Sequence, residues 1–141
     1  MSGIARSSCV VAVEPHAIPV IRSALTAACG AIETVITVVV CIDLGILRLA
    51  APDILIADID ALEIDPIEVL RQLRFVLPDC VLVVYTGIGE TAWARTCHLA
   101  GANGLLSKKS KEGDLAYGLQ LAMRIGSYTD PRLTQPAEKE F

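Results

Sequence analysis

Three residues able to do chemistry together stand at the ends of apolar runs. Asp58 follows Ile54-Leu55-Ile56-Ala57, Thr86 follows the run Val81 to Tyr85, and Lys108 follows Leu105-Leu106-Ser107. They lie 28 and 22 positions apart (58 to 86, 86 to 108), one strand-plus-helix unit each. A carboxylate is a nucleophile. A hydroxyl and an ammonium bind anionic oxygens through hydrogen bonds and charge. One such residue alone reads as an ordinary solvated side chain, whereas three at successive strand ends read as one site. Open α/β sheets bind ligands outside the carboxyl ends of their strands. Glu14, after the run Val10 to Val13, has the same kind of position, and Asp60 follows Asp58 closely.

The elements that must position these residues alternate along the chain. Val10 to Val13 predicts a first strand, ended by Glu14-Pro15-His16, and Ile18, Ile21, Ala24, Leu25 and Ala28 predict a helix stopped near Gly30. Thr34 to Cys41 is strongly β-forming, and a helix from about Asp43 to Ala51 follows it. Ile54 to Ala57 is short, apolar and rich in β-branched residues, which suits a strand buried on both faces. Asp65 as N-cap and Pro66 at the first helical position open a helix with an inner stripe of Ile67, Leu70, Leu73 and Leu77. Val81 to Tyr85 is the fourth strand, and Thr91 to Ala100 a short helix with Trp93, Cys97 and Ala100 inward. Trp93 reads as packing and His98 as a helix-surface residue. Lys111 to Ile125 is the last helix, with Leu115, Leu119, Ala122 and Met123 inward and Gly126 as its stop. The pattern predicts an α/β, flavodoxin-like, doubly wound parallel sheet of five strands in the order 2-1-3-4-5.

Composition excludes several function classes. A chain of 141 residues is one domain, and at that size about two thirds of the unfolded surface is buried. With 53% hydrophobic but only 4% aromatic residues, the core must be aliphatic. A net charge of −4 without blocks gives no basic stripe for nucleic acid. The five cysteines, Cys9, Cys29, Cys41, Cys80 and Cys97, have no zinc spacing and read as free buried thiols in a reducing cytoplasm. No apolar run approaches the roughly 20 residues of a membrane span.

The stretch Pro52 to Arg74 resembles the receiver domain of two-component response regulators, whose pattern is P-D, an apolar strand, then D-I-x-M-P-x-M-D-G and a helix ending L-R. Pro52, Asp53, Asp58, Ile59, Ile64, Asp65 and Leu73-Arg74 match it. Ala61-Leu62 replaces Met-Pro, and Pro66 replaces Gly. The run Gly101 to Lys108 matches the family's G-A-D-G-Y-L-x-K, with Leu105 where an aromatic residue usually switches position. Gly126, Tyr128 and Pro131 match the Gly-x-Tyr-x-x-Pro ending of LuxR-type (NarL-type) members. The resemblance implies that Asp58 is the phosphoacceptor, forming an aspartyl phosphate whose added oxygens Thr86 and Lys108 bind.

It also implies a magnesium ion held by two acids at the end of the first strand together with the phosphoacceptor. Glu14 and Asp58 supply two of these ligands, but Pro15 replaces the second acid and offers no side-chain oxygen. The magnesium site is therefore expected to be weak or absent, and no other cofactor is read. His16 fits a histidine common there in LuxR-type members and reads as a surface or capping residue. The expectation is an atypical, cytoplasmic receiver, not an enzyme, that regulates transcription without conventional phosphorylation. Its expected partners are a histidine kinase and a second copy, with no membrane. The second copy would pair through the first and last helices, with Ala24, Ala28 and Gly118 allowing close approach. Residues 1–130 form the receiver-like domain and 131–141 a linker. Thr134 to Phe141 resembles the opening of a LuxR-type helix-turn-helix domain, so DNA contact would lie beyond residue 141. The alternatives are a conventional phospho-aspartate receiver, a stand-alone adaptor binding a partner protein, and an enzyme using Glu14, Asp58 and Asp60.

Overall fold

The apolar runs become the strands of one sheet in the computed structural model, which describes residues 6–29, 33–39, 41–60, 62 and 65–134. The strands are β1 (Arg6–Ala12), β2 (Glu33–Val38), β3 (Ile54–Ala57), β4 (Val81–Thr86), β5 (Gly104–Ser107) and β6 (Tyr128–Thr129). All pairings are parallel and the order is β2-β1-β3-β4-β5-β6. This is the expected 2-1-3-4-5 order with a two-residue strand added beside β5. Five helices connect them: α1 (Ile18–Cys29), α2 (Leu44–Ala50), α3 (Pro66–Val76), α4 (Thr91–Ala100) and α5 (Glu112–Arg124).

Alternation along each strand divides the core into two layers. Val10, Leu55, Leu82 and Leu105 face α2, α3 and α4, where Leu47, Leu70, Leu73 and Cys97 meet them. Cys9, Ile54, Ile56, Val83 and Leu106 face α1 and α5, where Ile21, Leu25, Leu115 and Leu119 meet them. The central strands carry apolar residues on both layers, as a parallel sheet covered on both faces requires.

Local sequence sets the helix ends. Asp65 Oδ1 accepts the Ile67 N–H at 3.0 Å with Pro66 at the first position, and Asp43 Oδ1 accepts the Ile46 N–H at 3.0 Å. Gly126, at φ +87°, closes α5 by donating its N–H to the Ala122 carbonyl at 3.1 Å. Gly118 is required by close approach: a Cβ there would lie 2.5 Å from Tyr128 Cε2 and 2.7 Å from Leu106 Cδ2. Ala24 and Ala28 are also buried, so these small residues serve packing within the chain rather than an approach by a second copy.

Several expectations change. β2 stops at Val38 rather than Cys41: the ladder with β1 runs from Glu33 to Val38, and the Val39 N–H makes one more bond, to the Val11 carbonyl at 3.0 Å. Polar Arg6, Ser7 and Ser8 extend β1, since β2 pairs with them whatever their hydropathy. On α3 Val69 is buried and Ile67 only partly so; on α4 Ala94 is buried and Trp93 partly. Packing continues past residue 130: Pro131–Leu133 is a 3-10 turn and Leu133 is buried against the α2–α4 layer. Gly30, Ala61, Ile64 and residues 135–141 lie outside the described residues.

Cys9, Cys29, Cys80 and Cys97 are buried, but Cys41, left beyond the end of β2, is exposed. Burial pushes the Cys9 and Cys97 thiols up to about 12 and the Cys80 thiol up to about 11. Thiolate is the reactive form. Iodoacetamide at a mildly alkaline pH is therefore expected to label Cys41 in the native protein and spare Cys9, Cys80 and Cys97. Peptide mass mapping checks this, and equal labelling of Cys97 would contradict the packing of α4.

Candidate functional site

The carboxyl ends of β3, β4 and β5 bring Asp58, Thr86 and Lys108 into one cluster. Asp58 follows β3 directly, and its N–H is held by the Ala12 carbonyl at 2.9 Å. Its side chain is 6% exposed, and Oδ2 lies 2.8 Å from Lys108 Nζ. That ion pair is the partner of the buried Oδ2, which has no other among the described residues. Oδ1 accepts the Asp60 N–H at 3.1 Å, which turns the chain back over the strand end. Lys108 is fixed from behind, its N–H on the Thr86 carbonyl at 2.9 Å.

Asp60 completes the cluster. Its Oδ1 accepts the Thr86 hydroxyl at 2.6 Å, and its Oδ2 accepts the Gly87 N–H at 2.7 Å. The same Oδ2 lies 3.1 Å from Lys108 Nζ. Thr86 is fully buried, and its Oγ1 in turn accepts the Ile88 N–H at 3.1 Å and the Trp93 indole N–H at 3.3 Å. Burial works against the charge on Lys108, but the Asp58 and Asp60 carboxylates outweigh it and hold the ammonium above the usual lysine range.

The metal side of the site is built differently. Glu14 is exposed and its Oε2 lies 3.3 Å from His16 Nδ1, so His16 pairs with its own neighbour. Pro15 opens a 3-10 turn and forms part of the wall of a mostly apolar cavity of about 640 Å³, shared with Val13, Ile18, Leu62 and Val69 and, as polar residues, Glu14, Asp58 and Gln72. Where the resemblance implies a second acid, the surface is hydrocarbon. Among the described residues no three His, Cys, Asp or Glu side chains converge to hold a metal ion. Glu14 and Asp58 are the carboxylates that would hold a magnesium ion, with Pro15 supplying no third and water left to complete its octahedron.

All strands are parallel, the order reverses at β1, and the acid, hydroxyl and ammonium end β3, β4 and β5. This fold is that of a response-regulator receiver domain. The receiver fold is shared with the LuxR family DNA-binding response regulator from Silicibacter pomeroyi, at a TM-score of 0.66 and 20% identity over 89% of this chain and 98% of that one. It is shared too with the isolated REC domain of RcsB from Salmonella enterica serovar Typhimurium, solved in the presence of phosphomimetic BeF3-. That likeness has a TM-score of 0.70 and 18% identity, over 91% of this chain and 96% of that one. In sequence, the chain is 33% identical over 88 residues to the methanol utilization control regulatory protein MoxX of Paracoccus denitrificans. That match covers 61% of this chain and spans 40% of the length of MoxX. No protein-family model matches the chain.

Within this receiver fold, two residues do more than their sequence positions suggested. Trp93 reaches Thr86 rather than only packing. His98 is half-buried and paired rather than a free helix-surface residue: Nδ1 lies 2.9 Å from the Ala102 carbonyl oxygen and Nε2 2.6 Å from Thr129 Oγ1. Its partner is 31 positions away, beyond any local reading. Asp60 had a legible signal. In Asp58-Ile59-Asp60 the middle residue is fully buried, which leaves the two acids to face the same strand end. Leu105 is fully buried in β5, in the layer that α4 covers.

Proposed function

We propose that the chain is the receiver module of a LuxR-type transcription regulator that works without conventional, metal-assisted phosphorylation. The observation that carries this reading is the split between the two halves of the site. Asp58, Thr86 and Lys108 lie at the strand ends as a phosphoacceptor site needs, while Pro15 stands where a second acidic metal ligand would be. Phosphoryl transfer is mainly positioning and charge neutralisation, and Lys108 is here the one cation within reach of Asp58 among the described residues. Both Asp58 oxygens are engaged, Oδ1 by the Asp60 N–H and Oδ2 by the ammonium, so neither faces an incoming donor freely. The likeness to LuxR family receivers supports a histidine kinase as upstream partner, a homodimer as the working state, and DNA contact through a segment beyond residue 141. Among the described residues no helix is long and apolar enough to cross a membrane.

The test is incubation with acetyl phosphate and magnesium, read by intact-mass and peptide mass spectrometry. In that reaction an Asp58 oxygen would bond to phosphorus as the bond from phosphorus to the acetyl oxygen breaks and acetate leaves. The expected result is slow, substoichiometric addition or none. Prompt, stoichiometric modification at Asp58 would instead identify a conventional phospho-aspartate receiver in which Glu14 and water suffice.

A further inference from the structure

We propose that Asp60 is a built-in occupant of the anion cradle at the ends of β4 and β5, standing in for the anionic oxygens this cradle would otherwise bind. The inference rests on the receiver reading of Asp58, Thr86 and Lys108. Three donors converge on one carboxylate: the Thr86 hydroxyl at 2.6 Å on Oδ1, and the Gly87 N–H at 2.7 Å and Lys108 Nζ at 3.1 Å on Oδ2. They come from two different strand ends and from both backbone and side chain, so together they form a built oxyanion site. A phosphoryl group on Asp58 would need the same hydroxyl and ammonium. Asp60 already holds them, and its negative charge adds repulsion against a second anion.

The occupant is tethered. Its own N–H is bound by Asp58 Oδ1, and Ile59 between the two acids is fully buried, so the carboxylate is presented to the cradle by a fixed turn. A tethered ligand competes at an effective concentration set by its linker, millimolar for a short one. A free oxyanion must exceed that to displace it. Because the Thr86 Oγ1 that bonds Asp60 also accepts from Ile88 and Trp93, the start of α4 is held in the occupied arrangement with no phosphate present. The cradle is thus an oxyanion site, for phosphate or a like tetrahedral anion, that is filled from within.

The experiment compares the 15N-labelled 141-residue chain with D60A, D60N and D58N by amide and indole resonances, with inorganic phosphate as the probe. In the parent, the Gly87 amide proton is expected far downfield, as a donor to a charged acceptor, and millimolar phosphate leaves it and the Trp93 indole unmoved. In D60A and D60N the Gly87 proton moves upfield. In D60A millimolar phosphate then returns it toward the parent position. D58N, which removes the phosphoacceptor but keeps the occupant, retains the parent Gly87 and Trp93 resonances. If D60A folds poorly, the isosteric D60N supplies the upfield shift. The proposal is overturned if Gly87 does not move in D60N and D60A, if phosphate leaves Gly87 of folded D60A unmoved, or if phosphate shifts the parent as strongly as D60A. No phosphoryl donor is used, so a failure here is distinct from a failure of the receiver reading, which acetyl phosphate tests separately.

Discussion

Replacing Lys108 with methionine is expected to destabilise the domain by about 2–4 kcal/mol. Removing one partner of a buried ion pair costs about 3–5 kcal/mol because the other charge stays buried. Lys108 is 27% exposed, so water screens part of that, while Asp58 and Asp60 are only 6% and 18% exposed. Methionine keeps the apolar stem and its packing, which isolates the loss of the ammonium. Two carboxylates held by one turn then face each other without a cation. Adding D58N to K108M removes one of those charges and is expected to restore at least about 1 kcal/mol, a coupling of the size found for residues in one network. Urea denaturation followed by circular dichroism measures both. A K108M protein within about 0.5 kcal/mol of its parent, the range of ordinary surface changes, would show that the two acids are solvated rather than clustered.

Arg74→Ala is expected to cost about 3–5 kcal/mol, for a different reason. The Arg74 guanidinium donates to the Leu77, Pro78 and Cys80 carbonyls at 2.9, 3.0 and 2.8 Å through Nη1. Nε and Nη2 reach the Gly101 carbonyl at 3.1 and 2.8 Å, and Nη2 also reaches Asn103 Oδ1 at 2.7 Å. One side chain thus fastens the turn after α3 to the turn after α4. Hydrogen bonds to charged groups contribute about 1.5–3 kcal/mol each and are not additive. Gly101 is shaped to this contact: at φ +124° a Cβ would lie 2.8 Å from the Arg74 Cβ. Lysine lacks the planar fork, so R74K is expected to recover less than half of the loss in the same denaturation assay. These bonds lie at the amino ends of β4 and β5, away from the cradle, so the loss is one of stability. A variant as stable as the parent would mean that water replaces the guanidinium at every carbonyl.

The parts of this design that were legible in the sequence are those set by local chemistry. The apolar run of β3, the caps Asp43 and Asp65, the stop at Gly126 and the three strand-end residues all depend on near neighbours or on simple alternation. The spacing of Asp58 and Asp60 places both acids at one strand end, but the donors that Asp60 meets come from β4 and β5 and are set by the turn that folds it back across β3. Arg74 matched a family pattern, but its acceptors are up to 29 positions away. β6 has only two residues, and its pairing is visible only once β5 is in place. The end of β2 is not visible in the sequence, because the β-forming run to Cys41 continues past the ladder with β1 that defines the strand.

The bonds at the two ends of α4 make that helix a connecting rod. At ten residues and 1.5 Å per residue it is about 15 Å long. Near one end Trp93 holds Thr86, and near the other His98 holds Thr129 of β6. A helix resists compression far better than the loops around it. A movement of Thr86, as when its acceptor leaves, therefore bears on the indole bond near the start of α4. The imidazole near its other end meets the two-residue strand that leads to buried Asp130. α4 thus ties the hydroxyl at the end of β4 to the short strand at the sheet's far edge, beside that strand's own ladder to β5.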